Sequence, residues 1–187
     1  MIPERRVVVL GIGNILWADE GFGVRAVEAL HEAYVFPPEV ALIDGGTQGL
    51  ALLPLIEAAA LLVVFDAIDY GLVPGSLRLI DDDDVPRYLT AKKMSLHQTS
   101  FQDVLGLATL SGRLPARMHL IGVQPLDLDD YGASLTPPVR AQLGAAVDHA
   151  VAFLAAAGFG ATPRAAGEPV EPLGPASVGR RSYEAMS

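Results

Sequence analysis

The sequence predicts an α/β domain with a mostly parallel β-sheet. Short apolar runs alternate with segments of helical periodicity, and this alternation is typical of βαβ units. The runs are nearly continuous in Val, Ile and Leu, which indicates strands buried on both faces, as in a parallel sheet. In such folds ligands bind at the carboxyl ends of the strands, near the point where the strand order reverses.

Five segments have the composition of strands, and turn residues bound them. In chain order they are RVVVLGI at 6–12, VALID at 40–44, LLVVFDAID at 61–69, GSLRLI at 75–80 and ARMHLIGV at 116–123. Arg78 interrupts the fourth run, which places that strand nearer to an edge of the sheet.

The first helix is predicted over residues 20–34. Val24, Val27 and Leu30 recur at helical spacing, and Asp19 stands in the N-cap position. Glu20 would then lie in the first turn, where a carboxylate favours the helix dipole.

Three further helices are predicted, at 48–59, 100–110 and 136–157. The last is long and rich in alanine, with two prolines in its first turn, where proline is tolerated. The acidic run DDDD at 81–84 is predicted to be a solvated turn.

The chain of 187 residues is long enough for one domain, and its 51% hydrophobic composition predicts a large core. After Gly158 the composition shifts to Pro, Gly, Ser and charged residues. We therefore divide the chain into an α/β domain at 1–157 and a C-terminal tail at 158–187 without a core of its own.

Composition and charge disfavour several classes of function. A formal net charge of −9 argues against a nucleic-acid partner, because phosphate contacts need clustered Lys and Arg. The absence of cysteine removes thiolate nucleophiles and Cys-based metal sites. No apolar stretch is long enough to span a membrane, and the first apolar run is too short for a signal peptide. We expect a cytoplasmic protein without membrane insertion.

Polar residues gather at the predicted carboxyl ends of the strands. They are Asn14, Asp19 and Glu20 after the first strand, Asp44 after the second, Asp66 and Asp69 at the third, and His97 between the fourth and fifth. Asp66 closes an apolar run, so its carboxylate starts from a buried backbone. A buried carboxylate needs hydrogen bonds, a charge partner or a metal.

Two interpretations of these residues stay open on the sequence alone. Asp19 as an N-cap, Asp44 in a turn, Asp66 as a loop cap and His97 as an ordinary core or surface histidine would all be structural. Alternatively, Glu20, Asp66 and His97 form a mixed oxygen and nitrogen site for a divalent transition metal. Three protein ligands would leave coordination positions open.

Nucleotide and serine-hydrolase sites are disfavoured by the motifs. Gly11-x-Gly13 begins a dinucleotide fingerprint, but Leu16 occupies the third glycine position. Neither a phosphate-binding Gly-Lys-Ser/Thr loop nor a Gly-x-Ser-x-Gly elbow occurs, so we expect no nucleotide cofactor. Acid–base or metal-linked chemistry on carboxylates and one histidine remains.

Four ordered blocks resemble the motifs of the NiFe-hydrogenase maturation endopeptidases. They are GIGNILWADEGFGVR, LIDGGTQGL, VVFDAID and SLHQTS, and the later segments SGRLPARMHLIGVQP and LTPPV extend the likeness. The resemblance runs from about residue 6 to about residue 157. The sequences WADEGFGVR and DGGTQGL are most similar to those of the branch that serves membrane-bound uptake hydrogenases.

This resemblance implies a fold, an activity and a set of residues. It implies a twisted five-stranded sheet with helices on both faces, and a protease that removes the C-terminal extension of the hydrogenase large-subunit precursor after nickel insertion. Nickel would arrive with the precursor and be recognised by Glu20, Asp66 and His97. Asp44 falls where the family has a cleft carboxylate linked to cleavage-site choice. We expect a monomer when the protein is free.

The catalytic group stays undecided at this level. The precursor's nickel would supply Lewis acidity, or a cleft carboxylate, with Asp44 and Asp66 as candidates, would act as general base. No two-Asp dyad motif is visible, so the class of aspartyl protease would rest on residue type alone. The competing hypothesis is a nonhydrolytic nickel chaperone or sensor with the same ligands, and a nucleotide-binding oxidoreductase is disfavoured by the broken fingerprint.

Overall fold

The computed structural model describes the backbone of residues 7–90, 96–174 and 179, and side chains at 7–87, 101–174 and 179. Its centre is a five-stranded sheet in the order β3-β1-β4-β6-β5. The strands are β1 Val7–Ile12, β3 Val40–Gly46, β4 Leu61–Ala67, β5 Leu77–Asp81 and β6 Arg117–Val123. All neighbours pair in parallel except β5, which is antiparallel to β6 at the edge. The predicted α/β fold with a mostly parallel sheet is confirmed.

Helices cover both faces of the sheet. They are α1 Phe22–Ala33, α2 Leu53–Glu57, α3 Asp84–Thr90, α4 Leu96–Leu110, α5 Pro137–Arg140 and α6 Leu143–Ala156, with 3-10 turns at Ala18–Gly21 and Gly49–Leu52. One apolar cluster joins the sheet to α1 and α6, and a second joins it to α2 and α4. Strand β1 serves both, since Val7 and Val9 lie in the first cluster and Val8 and Leu10 in the second.

The strand order sets the position of the site. From β1 the chain moves to β3 on one side, and it then crosses β1 to form β4 on the other side. The order therefore reverses around β1, and the crevice at the carboxyl ends of β1 and β4 is where such folds bind their ligands.

Some predicted boundaries of turns and helices are wrong. The acidic run at 81–84 is a turn only in part, because Asp81 ends β5 and α3 already begins at Asp84. The segment 48–59 is a 3-10 turn followed by the short α2. The long helix at 136–157 is interrupted between α5 and α6, where the N–H of Gln142 bonds the carbonyl of Val139 in 3-10 fashion before the α-helical pattern restarts.

Part of the tail contacts the domain. Two short strands that the sequence did not predict, β2 Tyr34–Val35 and β7 Thr162–Pro163, pair in an antiparallel ribbon. Phe159 and Leu173 pack on the apolar cluster of α1 and α6. The domain boundary at residue 157 remains a prediction.

In the described part of the chain, none of the helices has both the length and the apolar character to cross a membrane.

Candidate functional site

Glycines bring the turn after β1 and the start of α1 into direct contact with the strand ends. Gly13 has φ +129°, and a Cβ built there would overlap the carbonyl oxygen of Glu20. A Cβ at Gly23 would overlap the carbonyl oxygens of Ile12 in β1 and Phe65 in β4. The absence of these side chains therefore lets the 3-10 turn that carries Glu20 sit at the carboxyl ends of β1 and β4.

Glu20 and Asp66 meet at this edge as two buried carboxylates. Only 7% of Glu20 and 2% of Asp66 is exposed. Burial raises the pKa of the Asp66 carboxyl group well above its ordinary value, and the nearby Glu20 carboxylate raises it further. The backbone N–H of Ala67 donates a hydrogen bond that opposes this rise. The structure thus brings together two of the three predicted metal ligands.

His97 belongs to the first turn of α4, and its side chain lies outside the described residues. In β4, Asp66 lies on the same face of the sheet as Leu62 and Val64, because side chains two residues apart point the same way. Leu62 and Val64 belong to the apolar cluster of α2 and α4. Helix α4 ends shortly before β6, whose first N–H, on Arg117, bonds the carbonyl of Ala60 at the amino edge. A 15-residue helix is about 22 Å long, so α4 begins toward the carboxyl edge, on the face of Asp66.

The three-ligand set stays a prediction. Among residues whose side chains the structure describes, no three His, Asp or Glu side chains are grouped closely enough to hold a metal ion. His97, the third predicted ligand, is not among those residues.

Asp44 lies apart from the Glu20 and Asp66 pair. Asp44 belongs to β3, where it pairs with Gly11 of β1, and Asp66 belongs to β4 on the other side of β1. Because β1 lies between them, strands β3 and β4 are about 10 Å apart. In β3, Asp44 lies on the same face of the sheet as Leu42, which packs on the apolar cluster of α1 and α6. On these opposite faces, Asp44 and Asp66 do not form the hydrogen-bonded dyad of an aspartic protease.

The environment of Asp44 is polar on one side. Burial raises the pKa of its carboxyl group, whereas a hydrogen bond from the N–H of Gly46 and the charge of Arg25 lower it. The backbone carbonyl of Asp44 also accepts a hydrogen bond from Gln48 Nε2 at 2.7 Å. Asp44 is therefore a partly buried carboxylate held at the end of β3.

Asp19 is not an N-cap, and its observed role was not predicted. It is fully buried, and the N-cap of α1 is Gly21, without a side-chain hydrogen bond. The Asp19 carboxylate accepts hydrogen bonds from the N–H groups of Leu126 at 2.8 Å, Asp127 at 3.1 Å and Thr136 at 2.7 Å, and from the Thr136 hydroxyl. It thereby ties the loop after β1 to the loop after β6, and these partners are too distant in sequence to leave a local signal.

Replacement of Asp19 by Asn should lower the free energy of unfolding by about 2–4 kcal/mol, because an amide NH₂ would face backbone donors and charge-assisted bonds would be lost. Urea denaturation measures the loss. Asp129→Asn, an exposed substitution in the same loop, is the control and should change little. Equal urea midpoints for the two variants would contradict a structural role for the Asp19 carboxylate.

Comparisons with known proteins agree with this fold. A family model described as "HycI: Hydrogenase maturation protease" matches residues 24–153. The chain is 56% identical over 179 residues to the hydrogenase expression/formation protein HupM of Azotobacter chroococcum. These aligned residues cover 96% of this chain and 85% of that protein. It resembles the solved hydrogenase maturating endopeptidase HybD from E. coli with a TM-score of 0.80 and 39% identity, over 85% of this chain and 98% of that chain.

Proposed function

This chain belongs to the hydrogenase maturation protease family, and we propose that it removes the C-terminal extension of a NiFe-hydrogenase large-subunit precursor after nickel insertion. The observation that carries the proposal is the buried Glu20 and Asp66 pair at the strand-order reversal. Two carboxylates in this position repel each other and favour the arrival of a cation.

Nickel would be part of the substrate. In this proposal the precursor presents its own nickel ion, and Glu20, Asp66 and His97 supply further ligands to it. The chain would then bind the loaded precursor more tightly than the nickel-free one, because only the former relieves the repulsion between the carboxylates. Cleavage would be withheld until nickel insertion is complete.

Peptide hydrolysis requires an attacking water, a polarised carbonyl and a proton for the leaving amine. Asp66 would be engaged with nickel, so Asp44 is the better candidate to accept a proton from the water. Burial raises the pKa of the Asp44 carboxyl group, which makes it a stronger base.

Exposed apolar side chains around the carboxyl edge favour a protein substrate. Four of them, each more than half exposed, lie in segments that follow the strands at this edge: Leu50, Val73, Leu126 and Tyr131. The ring of Tyr131 also packs against the ring of Trp17, with 5.1 Å between the ring centroids. This contact joins the loop after β6 to the loop after β1. These apolar side chains would add buried apolar area when a folded partner brings its cation to the acidic centre.

The test is incubation of the protein with nickel-loaded and with nickel-free large-subunit precursor, followed by intact-mass analysis. We expect loss of the C-terminal extension from the loaded precursor only. A precursor already lacking the extension is the control and should keep its mass. Cleavage of both forms alike would contradict recognition through nickel. Cleavage of neither, together with sub-micromolar binding of free Ni²⁺, would favour a nickel carrier instead.

A further inference from the structure

The C-terminal segment 162–174 follows strand β3 from its amino end to its carboxyl end. It starts at the β2 and β7 ribbon, and the N–H of Arg164 bonds the carbonyl of Ala33 at 2.9 Å. Further along, His31 Nε2 donates to the carbonyl of Glu171 at 2.9 Å. Leu173 then shares a cavity with Leu42 of β3. We call this stretch the return segment.

The return segment ends beside Asp44. A Cβ built on Gly174 would lie 2.9 Å from Asp44 Oδ2, so the backbone of Gly174 runs directly against the carboxylate. Asp44 is two residues beyond Leu42 on the same face of β3, as expected if Leu173 and Gly174 continue along that face. The return segment thus borders the carboxyl edge on the side of β3.

The return segment packs on the domain mainly through Leu173, and a surface pocket lies beside it. This open pocket has a volume of about 240 Å³ and is lined in part by Tyr34, Leu42, Arg164 and Leu173. Two side-chain hydrogen bonds also hold the segment: the exposed bond from His31 to Glu171, and a partly buried bond from Arg164 Nε to the carbonyl of His31 at 2.9 Å. These contacts hold Leu173 and Gly174 in a defined position beside Asp44 at the carboxyl edge.

We infer that the return segment is one wall of the substrate site, and that Leu173 and Gly174 limit how far the precursor's C-terminal peptide extends past Asp44. The inference rests on the proposed function. A peptide that crosses the carboxyl edge from Asp66 toward β3 would reach Asp44 and then meet this wall. Removal of the wall would take away contacts with the peptide and leave its register less defined.

Four variants test the wall, with KM, kcat and product masses measured on nickel-loaded precursor. Truncation after Gly160 removes the return segment, and truncation after Gly174 keeps it. Gly174→Val places bulk against Asp44, and Gly160→Val is the matched control, because a Cβ there meets open space. Urea denaturation checks that each variant folds.

We expect truncation after Gly160 to raise KM by roughly tenfold, with additional products cut at neighbouring bonds. Gly174→Val should raise KM, while truncation after Gly174 and Gly160→Val should match the wild type. An unchanged KM and a single product after truncation at Gly160 would overturn the inference. A roughly tenfold higher KM with additional products in the chain truncated after Gly174 would also overturn the inference. If the wild-type protein cleaves nothing, the proposed function fails, and the wall inference fails with it.

Discussion

Replacement of Asp66 by Asn should abolish cleavage of nickel-loaded precursor and at the same time stabilise the free protein. The amide keeps the size of the carboxylate but loses its charge, so it binds nickel far more weakly. The same change removes a group whose ionised form is costly to bury and is repelled by Glu20. We expect a gain of about 1–3 kcal/mol in the free energy of unfolding near neutral pH. Opposite effects on activity and stability are expected of a functional site that is costly to the fold.

This stabilisation should depend on pH. The Asp66 pKa is raised in the folded state, mainly by burial and further by Glu20, so folding favours the protonated carboxyl group. The contribution of that group to stability is complete below its unfolded pKa and is lost as the pH rises through its folded pKa. The advantage of Asp66→Asn over the wild type should therefore be absent in acid and grow with rising pH.

Urea denaturation at several pH values, paired with the cleavage assay, measures both effects. Asp148→Asn, an exposed substitution on α6, is the matched control and should leave the pH dependence and the cleavage rate unchanged. Full cleavage by Asp66→Asn would show that Asp66 is not a nickel ligand. A stability difference that does not change with pH would contradict a raised pKa as its cause.

Replacement of Gly13 by Ala should unfold or severely destabilise the protein. Its φ of +129° is unfavourable for any residue with a side chain, and the new Cβ would overlap the carbonyl oxygen of Glu20. We expect a loss of about 3 kcal/mol or more, because backbone strain and a clash with backbone act together. Any fraction that still folds must displace the turn that carries Glu20, and precursor cleavage should fall with it.

The matched control is Gly106→Ala on the exposed surface of α4, where the added Cβ meets open space. There alanine should stabilise the helix by about 0.5–1 kcal/mol. Thermal and urea denaturation compare the two variants directly. A Gly13→Ala protein as stable and as active as the wild type would show that the turn after β1 does not depend on glycine.

The strands were predictable because burial on both faces leaves a continuous apolar run. Segments whose structure depends on distant contacts were not. The two-residue β2 and β7 exist only because the tail returns to the end of α1. The acidic residue that begins α3 stands in a sequence equally typical of a turn. The break between α5 and α6 falls at Ala141 and Gln142, so no proline or glycine at these positions marks it in the sequence.

The candidate site was predictable to the extent that strand topology controls it. Parallel strands meet at one edge, so Glu20 after β1 and Asp66 in β4 were expected to lie together, and they do. The separation of Asp44 depends on strand order and side-chain alternation, and the position of the neighbouring strand was not evident from the sequence. The contribution of His97 remains a prediction, since its side chain is outside the described residues.

The hydrogen bonds of Asp19 have a consequence for association with a partner. Its single carboxylate fixes Leu126, Asp127 and Thr136 relative to the turn after β1, so two loops that border the site are ordered before any substrate arrives. The conformational entropy of these loops is lost when the chain folds. Binding of the precursor need not include that loss, so more of the interaction energy between the two surfaces is retained as affinity.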